Sequence, residues 1–262
     1  MSVRWLAPFA FVSLAPLVAQ LPPMPATPAM RYVDFHRDLA RQGVVVVVGT
    51  LGKGKEGRRE KLADGKLGGG NVVTVISGTQ FFKVPVQAPI QPRATFAGKC
   101  DKVAIAYDLQ VARLPDGKEQ RQSTTSTAAP MDEGMLALFV LAPADKKKVC
   151  ELLHVIPFDK KVDTGPDAEA VFVDTMADHH AVNRRVLDYE NALAAAEKAA
   201  DDASRTRALE SLQQLVDAPL RLRRSENDGL LLQHVNPRET RAKQRLAAAA
   251  AKPAAEPAGS KQ

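Results

Sequence analysis

The strongest hydrophobic signal in the chain is a run of five valines, Val44 to Val48, bounded by Gly43 and Gly49. Valine is β-branched, so it fits a pleated strand better than a helix. A short apolar run closed by glycines is typical of a strand that is buried on both faces, or of a barrel strand. The run therefore predicts the founding strand of a β domain.

Further strand-like segments follow this run as far as residue 160, and no helical period separates them. They are residues 71–77, 80–86, 101–114, 120–127, 134–141 and 148–158. Pro85, Pro89 and Pro92 interrupt the chain after the second segment begins, which predicts an edge strand or a connection there. About six strands without intervening helices predict one small antiparallel barrel or sandwich.

After residue 160 the hydrophobic period changes to that of a helix. One predicted helical face consists of residues spaced by three or four positions: Val182, Val186, Tyr189, Leu193 and Ala196. Further helices are expected over residues 204–216 and 219–234, and Gly229 weakens the second of these. The predicted fold class is therefore α+β, a small antiparallel β barrel or sandwich followed by an α-helical segment.

The first residues are typical of an export signal rather than of a folded domain. Arg4 precedes an uncharged stretch from Trp5 to Ala19. This stretch suits the apolar region of a signal peptide and is shorter than the about 20 residues of a membrane span. We therefore expect a signal peptide at 1–19, no membrane span, and an exported protein that is periplasmic or extracellular.

These observations divide the chain into five predicted segments. They are a signal peptide (1–19), a proline-rich linker with a short helix (20–42), a β domain (43–160), an α-helical segment (166–235) and a largely disordered tail rich in Ala, Lys and Pro (236–262). In the short helix, Val33, Phe35 and Leu39 are the apolar positions. The alternative for the start of the tail is a solvated helix over residues 237–251.

The order of the β segments resembles netrin-like domains, the barrel shared with tissue inhibitors of metalloproteinases. The resemblance is carried by the valine-rich strand, a following strand pair, and a late apolar strand that begins after Asp132-Glu133-Gly134. It implies an OB-type barrel over most of residues 43–160. Metalloproteinase inhibition is not implied, because the inhibitors present a cysteine at the mature N-terminus, where this chain would have Gln20.

A weaker likeness concerns the helical segment. The pattern R-x-x-A-L-x-x-L from Arg205 to Leu212 is similar to a single HEAT-like unit. One such unit cannot bury its own hydrophobic face, and no second copy follows at a fixed period. The helices are therefore expected to pack on the β domain or on each other.

The net charge of the chain limits the classes of partner that it could bind. The net charge of +6 is mild for 262 residues, and nucleic-acid binding usually needs positive charge gathered on one face. We therefore expect no nucleic-acid partner.

Cys100 and Cys150 are a candidate disulfide, since an even number of cysteines in an exported chain favours pairing. The alternative is two separate buried thiols.

Two segments partly match sequence motifs of catalytic sites. Gly49 to Glu56 reads GTLGKGKE and nearly matches a phosphate-binding loop, with Lys55 as its lysine. Glu56, however, occupies the position of the hydroxyl that would bind magnesium, and no apolar stripe predicts the helix that must follow. A basic loop between strands is the preferred interpretation.

The second segment is Asp178-His179-His180, a triplet also found in metal-dependent phosphoesterases. Adjacent residues on a helix point about 100° apart, so neighbouring histidines rarely share a metal. Three other histidines, His36, His154 and His234, stand alone in the sequence.

The favoured hypothesis is an exported, non-enzymatic binding or scaffold protein, with no catalytic residue, metal site or cofactor. Its partner would be a protein or an envelope component that the sequence does not identify, and its oligomeric state is left open. The first alternative is an enzyme, either a metal-dependent phosphoesterase or a nucleotide hydrolase that uses Lys55. The phosphoesterase residues would be Asp174, Asp178, His179 and His180. The second alternative is an envelope-associated structural protein that oligomerises through its helices.

Overall fold

The computed structural model describes residues 32–62, 78–99, 103–123, 131–143, 149–159 and 165–251. Several predictions concern residues outside these ranges. They are the signal peptide at 1–19, the proline-rich part of the linker, the strand at 71–77, the end of the strand at 120–127, Cys100, and the tail from residue 252.

The described residues form a sheet followed by helices, which confirms the α+β class and the position of the helices after the strands. The sheet is mixed and has eight strands among these residues. The strands are β1 (Val45–Leu51), β2 (Lys55–Glu56), β3 (Glu60–Lys61), β4 (Gln80–Ala97), β5 (Val103–Arg113), β6 (Glu119–Ser123), β7 (Leu136–Ala142) and β8 (Val149–Pro157).

Five of the strands pair in a circuit that returns to its starting strand. Strand β1 pairs antiparallel with β4 and with β7. Strand β4 pairs antiparallel with β5, whereas β5 pairs in parallel with β8. The prediction of an antiparallel sheet is therefore wrong at the β5–β8 pairing. Strand β8 pairs antiparallel with β7, which completes the circuit. The short strands β2 and β3 lie along β4, and β6 lies along β5.

The valine run lies at the centre of this arrangement, as predicted. Val45 and Val47 pack into the apolar core on one side of β1, while Val46 and Val48 pack into a second core on the other side. All four valines are buried. The prediction of a strand buried on both faces is therefore confirmed.

The prediction that the prolines make this segment an edge strand or a connection is wrong, because β4 continues through all three of them. The carbonyl oxygens of Pro85 and Pro89 accept hydrogen bonds from the backbone of Gly57 and Gly52, each at 2.8 Å. In a strand, the N–H and C=O of one residue point to the same edge. The N–H group missing at these prolines therefore belongs to the edge of β4 that faces the irregular β1–β3 side. The regular ladder with β5 uses the other edge and is undisturbed.

The helices are α1 (Ala168–Lys198), α2 (Asp202–Asp217), α3 (Asp228–Leu231) and α4 (Asn236–Ala250). The predicted apolar face of α1 is confirmed, since all five of its residues are buried. The prediction of a single helix over residues 219–234 is wrong. That segment contains the one-turn helix α3 between the 3-10 turns Ser225–Asn227 and Leu232–His234.

Two further expectations for the chain ends need correction. Residues 236–250 are not a disordered tail, because they form α4, which confirms the helix of the alternative prediction; this helix also packs on the other helices and buries Ala242 completely. The short helix expected at the end of the 20–42 segment is only the 3-10 turn Asp38–Ala40. Its apolar residues nevertheless pack against the second core, with Phe35 buried.

Helix α1 joins two apolar cores. Its Phe172 and Met176 pack against the outer side of β1 and β7, whereas its residues from Val182 onward form the core of the helical part with α2 and α4. Around the point where these stretches meet, α1 buries polar side chains, including His179 and Asn183. None of the described helices has the length and apolar character that a membrane crossing requires.

Candidate functional site

The segment that nearly matches a phosphate-binding loop is strand structure. Gly49 lies in β1 and Lys55 lies in β2, where it pairs with Gln87. The glycines of this segment let it approach β4 closely. A Cβ atom on Gly52 would lie 2.9 Å from the Pro89 ring, and one on Gly54 would lie 2.6 Å from Val86. The glycine spacing is therefore explained by packing on β4, and residues 57–62 hold strand β3 rather than the helix that a phosphate loop needs.

The Asp178-His179-His180 triplet is divided among different parts of the fold. The Asp178 carboxylate accepts hydrogen bonds from the backbone N–H groups of Arg223 and Arg224, at 2.7 and 3.2 Å. His179 is fully buried, and its ring lies 6.3 Å from that of Tyr32.

The other two residues of the proposed phosphoesterase set, His180 and Asp174, contact different parts of the fold, although Asp174 shares its partner Arg223 with Asp178. The His180 ring stacks against Phe96 of β4 at 5.9 Å, and burial, aided by Arg184, lowers the pKa of His180. Asp174 forms an ion pair with Arg223 at 2.9 Å. Within the described residues, no group of three or more Asp, Glu, His or Cys side chains is arranged to hold a metal ion.

A buried polar cluster lies where residues 32–41, which we term the N-terminal strap, cross helix α1. Its centre is Asn183, whose side chain is completely buried. The Asn183 Oδ1 atom accepts hydrogen bonds from the Phe35 backbone N–H at 2.8 Å and the Tyr32 hydroxyl at 3.2 Å. Its Nδ2 atom donates to the carbonyl oxygens of Val33 at 3.0 Å and His179 at 2.9 Å. One side chain of α1 thus pairs with the backbone of the strap in the way a neighbouring strand would.

His36 occupies a second buried position in the strap, with an exposed fraction of 3%. Its Nδ1 atom contacts the Asp34 carboxylate, and its Nε2 atom lies 3.0 Å from Glu190 of α1. The other Glu190 oxygen accepts from Arg238 of α4 at 2.9 Å. This chain of charges connects the strap to two helices.

Two more histidines contact the strap from outside. The His154 Nε2 atom on β8 lies 2.8 Å from the Asp38 carboxylate, which also pairs with Arg41 at 3.0 Å. The His234 ring stacks on Tyr32 with 3.8 Å between ring centroids. His36, His154 and His234, which stand alone in the sequence, therefore converge on the strap in the fold.

A sequence signal for part of this cluster exists on α1. Met176, His179, Asn183 and Glu190 follow one another at spacings of three, four and seven residues, so they share one side of the helix. This stripe combines polar and apolar residues, and hydrophobicity alone does not distinguish it from solvent-facing positions.

A different kind of surface lies on β4 and β5, on the side that faces away from the apolar core. It is made of alternate residues of the two strands, and we term it the β4–β5 outer face: Lys83, Pro85, Gln87, Pro89, Ala104, Ala106 and Asp108. The intervening residues of β4, such as Val84 and Val86, are buried. Gln87 and Ala106 are register partners at its centre, and both are exposed.

The end of the sheet beside β6 carries a network of ion pairs around Glu119. Arg59 contacts the Glu119 carboxylate at 2.6 Å, Arg113 at 3.0 Å and Arg121 at 3.4 Å. Arg121 also pairs with Glu56 at 2.6 Å. The Arg59 guanidinium, followed by that of Arg113, lowers the pKa of Glu119 to about 2, because hydrogen bonds to the ionised carboxylate favour that form.

We expect the Glu119 carboxylate to titrate near pH 2 when its side-chain carbon is followed by NMR. The folded pKa lies below the ordinary value of 4.5, so the stabilisation from this group is present above that value and is lost as the pH falls towards 2. Arg59→Gln should raise the pH midpoint of the Glu119 titration, whereas Lys61→Gln in β3 should leave that midpoint nearly unchanged. A wild-type midpoint at the ordinary value would contradict the network.

Of the two cysteines, only Cys150 is among the described residues. It lies in β8 opposite Ile105, and partial burial raises the pKa of its thiol. Because Cys100 lies outside the described residues, the pairing of the two cysteines stays a prediction.

Comparisons of this chain with models of protein families, with curated proteins and with solved structures find no match. The described residues offer an exposed sheet face on β4 and β5 and a buried polar junction at the strap.

Proposed function

We propose that this protein is an exported, non-enzymatic binding or scaffold protein whose circuit of five strands is an OB-type barrel of the netrin-like kind. The main support is the strand order. Strands β7, β1, β4 and β5 lie side by side, so the fourth strand of the circuit returns beside the first, as in a Greek key. Strand β8 joins the two ends of this row, and an OB fold is a five-stranded Greek-key barrel.

The β4–β5 outer face is the proposed binding surface. OB folds bind their ligands on the face of the second and third strands, and in this circuit those strands are β4 and β5. The face is exposed at Pro85, Gln87 and Ala106. Its lysine, Lys83, is paired with Asp108 at 2.9 Å, so the face offers little positive charge to a nucleic acid. We therefore propose a protein or another envelope component as the partner.

The non-enzymatic part of the proposal is supported by what the candidate catalytic residues contact. Lys55 belongs to a strand ladder, and Asp178 binds backbone N–H groups of the segment before α3. His179 is buried beside the strap, while His180 lies against the sheet. A general acid, base or nucleophile needs access to a substrate at a common point, whereas Lys55, the buried His179 and His180 contact different parts of the fold.

The circuit of five strands is the observation that carries the proposal, and one experiment tests both export and binding. Protein purified from its native host is expected to have a mass that begins at Gln20, and to be retained by that host's envelope fraction in a co-sedimentation assay. Ala106→Arg places a large charged side chain at the centre of the β4–β5 outer face. It should weaken retention about tenfold, or by about 1.4 kcal/mol.

The matched control is Ala248→Arg, which introduces the same side chain at an exposed position of α4. It should be retained like the wild type. Equal retention of the two variants would exclude the β4–β5 outer face as the binding surface. A hydrolase activity that a single substitution removes would overturn the non-enzymatic assignment.

A further inference from the structure

The net positive charge of the chain is concentrated in two segments of nine residues, 53–61 and 113–121. Together they contain eight basic side chains and four carboxylates, an excess of four positive charges, while the whole chain of 262 residues has an excess of six. We term the two segments the basic edge. Its basic residues are Lys53, Lys55, Arg58, Arg59, Lys61, Arg113, Lys118 and Arg121.

The fold brings the two segments of the basic edge together at one end of the sheet. Residues 53–61 include β2 and β3, which lie along β4, and residues 113–121 lead from the end of β5 into β6. The Arg59 side chain of the first segment contacts Glu119 of the second at 2.6 Å. The Arg121 side chain of the second contacts Glu56 of the first, also at 2.6 Å. Because these ion pairs connect one segment to the other, the basic edge is one continuous surface.

Half of the basic side chains lie outside this network of ion pairs. Lys53, Lys55, Arg58 and Lys61 are all exposed. Among the residues that the structure describes, no carboxylate forms an ion pair with any of these four. The other four basic side chains are paired with carboxylates of the same surface. The first segment therefore presents four positive charges that can interact with an external anion.

The backbone that carries these charges is fixed on β4. A Cβ atom on Gly54 would lie 2.6 Å from Val86, and one on Gly57 would lie 3.0 Å from the Pro85 ring. The Gly57 N–H also donates to the Pro85 carbonyl oxygen at 2.8 Å. The glycines of the GKGKEG sequence thus allow the close approach to β4, and the lysines between them supply exposed charge. A surface that is already ordered loses less entropy when it binds.

The composition of this surface indicates a partner that is recognised by charge alone. No aromatic side chain among the described residues is exposed, whereas single-stranded nucleic acids are bound by exposed aromatic side chains on which their bases stack. An anionic lipid surface requires only a cluster of lysines and arginines, and each of them near the surface raises the affinity about fivefold.

We propose that the basic edge docks the protein on an anionic phospholipid surface. Lys53, Lys55, Arg58 and Lys61 face the headgroup phosphates, and the ion pairs around Glu119 hold the two segments in place behind them. The inference depends neither on export nor on the β4–β5 outer face.

Sedimentation with lipid vesicles tests the proposal. Protein purified from its native host is mixed with vesicles of phosphatidylcholine and phosphatidylglycerol in equal parts, or of phosphatidylcholine alone. It should bind the first kind and not the second. Binding should be lost when NaCl is raised from about 0.05 M to about 0.5 M, because salt screens charges that are exposed to solvent. The double variant Lys53→Gln/Lys55→Gln should lower the partition coefficient about tenfold.

The matched control removes the same two charges from another part of the surface. Lys99 and Lys198 are exposed and, within the described ranges, have no ion pair, so Lys99→Gln/Lys198→Gln should bind like the wild type. Equal losses in the two double variants would overturn the basic edge as the docking surface. Equal binding of the wild type to both kinds of vesicle, or to neither, would overturn the proposal itself. Tighter binding of the wild type to duplex DNA than to the anionic vesicles would overturn the lipid as the partner.

Discussion

Asn183→Asp is expected to lower the free energy of unfolding at neutral pH by about 3 kcal/mol or more. The substitution keeps the shape of the side chain but replaces its NH2 donor by an oxygen. That oxygen would face the carbonyl oxygens of Val33 and His179, which accept from Asn183 at 3.0 and 2.9 Å. Both acceptors would lose their donor, and a carboxylate would be placed where the side chain is completely buried.

The loss should depend on pH in a defined direction. Burial among acceptors raises the folded pKa of the new carboxyl group above its unfolded value. The penalty is therefore small below the unfolded pKa and grows as the pH rises towards the folded pKa. Urea unfolding of Asn183→Asp at about pH 4 and about pH 7 should show the larger deficit at neutral pH.

The control for this prediction lies on the same helix. Asn191 is exposed, and Asn191→Asp makes the same chemical change two turns later in α1. It should change the stability by less than about 0.5 kcal/mol at either pH. If the two variants are equally stable at neutral pH, Asn183 does not hold the strap in the way that its hydrogen bonds indicate.

The parts of the fold that could be predicted from the sequence are those that depend on local hydrophobic patterns. The valines of β1 and the apolar face of α1 are both decided by short-range periodicity, and both are confirmed. The α+β class follows from the same patterns. The closure of five strands depends instead on contacts distant in the chain, such as the parallel pairing of β5 with β8, and no local pattern encodes those.

The errors have specific physical causes. The prolines of β4 disrupt a strand only where a ladder needs their N–H, and the sequence does not state which edge each residue faces. The short helix expected in the 20–42 segment does not form because Asn183, which is 148 positions from Phe35, binds the Phe35 backbone in a non-helical conformation. Helix α4 has few large apolar side chains in its alanine-rich sequence, so its packing on α1 and α2 depends on small side chains such as Ala242.

The candidate site was harder to predict than the fold. Both catalytic alternatives were recognised by short motifs, and motifs do not show where side chains point. The strap cluster, in contrast, has no motif, because its members come from the N-terminal segment, β8, α1 and α4. Solitary histidines become informative only when the fold brings them together.

Gly49→Ala is expected to lower the free energy of unfolding by about 3 kcal/mol. A Cβ atom at this position would lie 2.6 Å from the Cγ2 atom of Ile90 and 2.7 Å from the backbone oxygen of Gln91. Real Cβ atoms do not approach other atoms so closely, and the backbone oxygen cannot move without disturbing the ladder between β1 and β4. The methyl group must therefore push two central strands of the circuit apart.

The result also separates two explanations of the same glycine. In a phosphate-binding loop, Gly49 would be needed to admit a ligand, and Gly49→Ala would impair nucleotide binding while sparing the fold. In this structure the absence of a side chain at Gly49 leaves room for Ile90, so Gly49→Ala should destabilise the protein with no ligand present. Gly165→Ala is the control, because a Cβ there has no heavy atom within 4 Å, and it should unfold at the wild-type urea concentration. Equal stability of the two variants would mean that β1 and β4 are not as close at Gly49 as the structure places them.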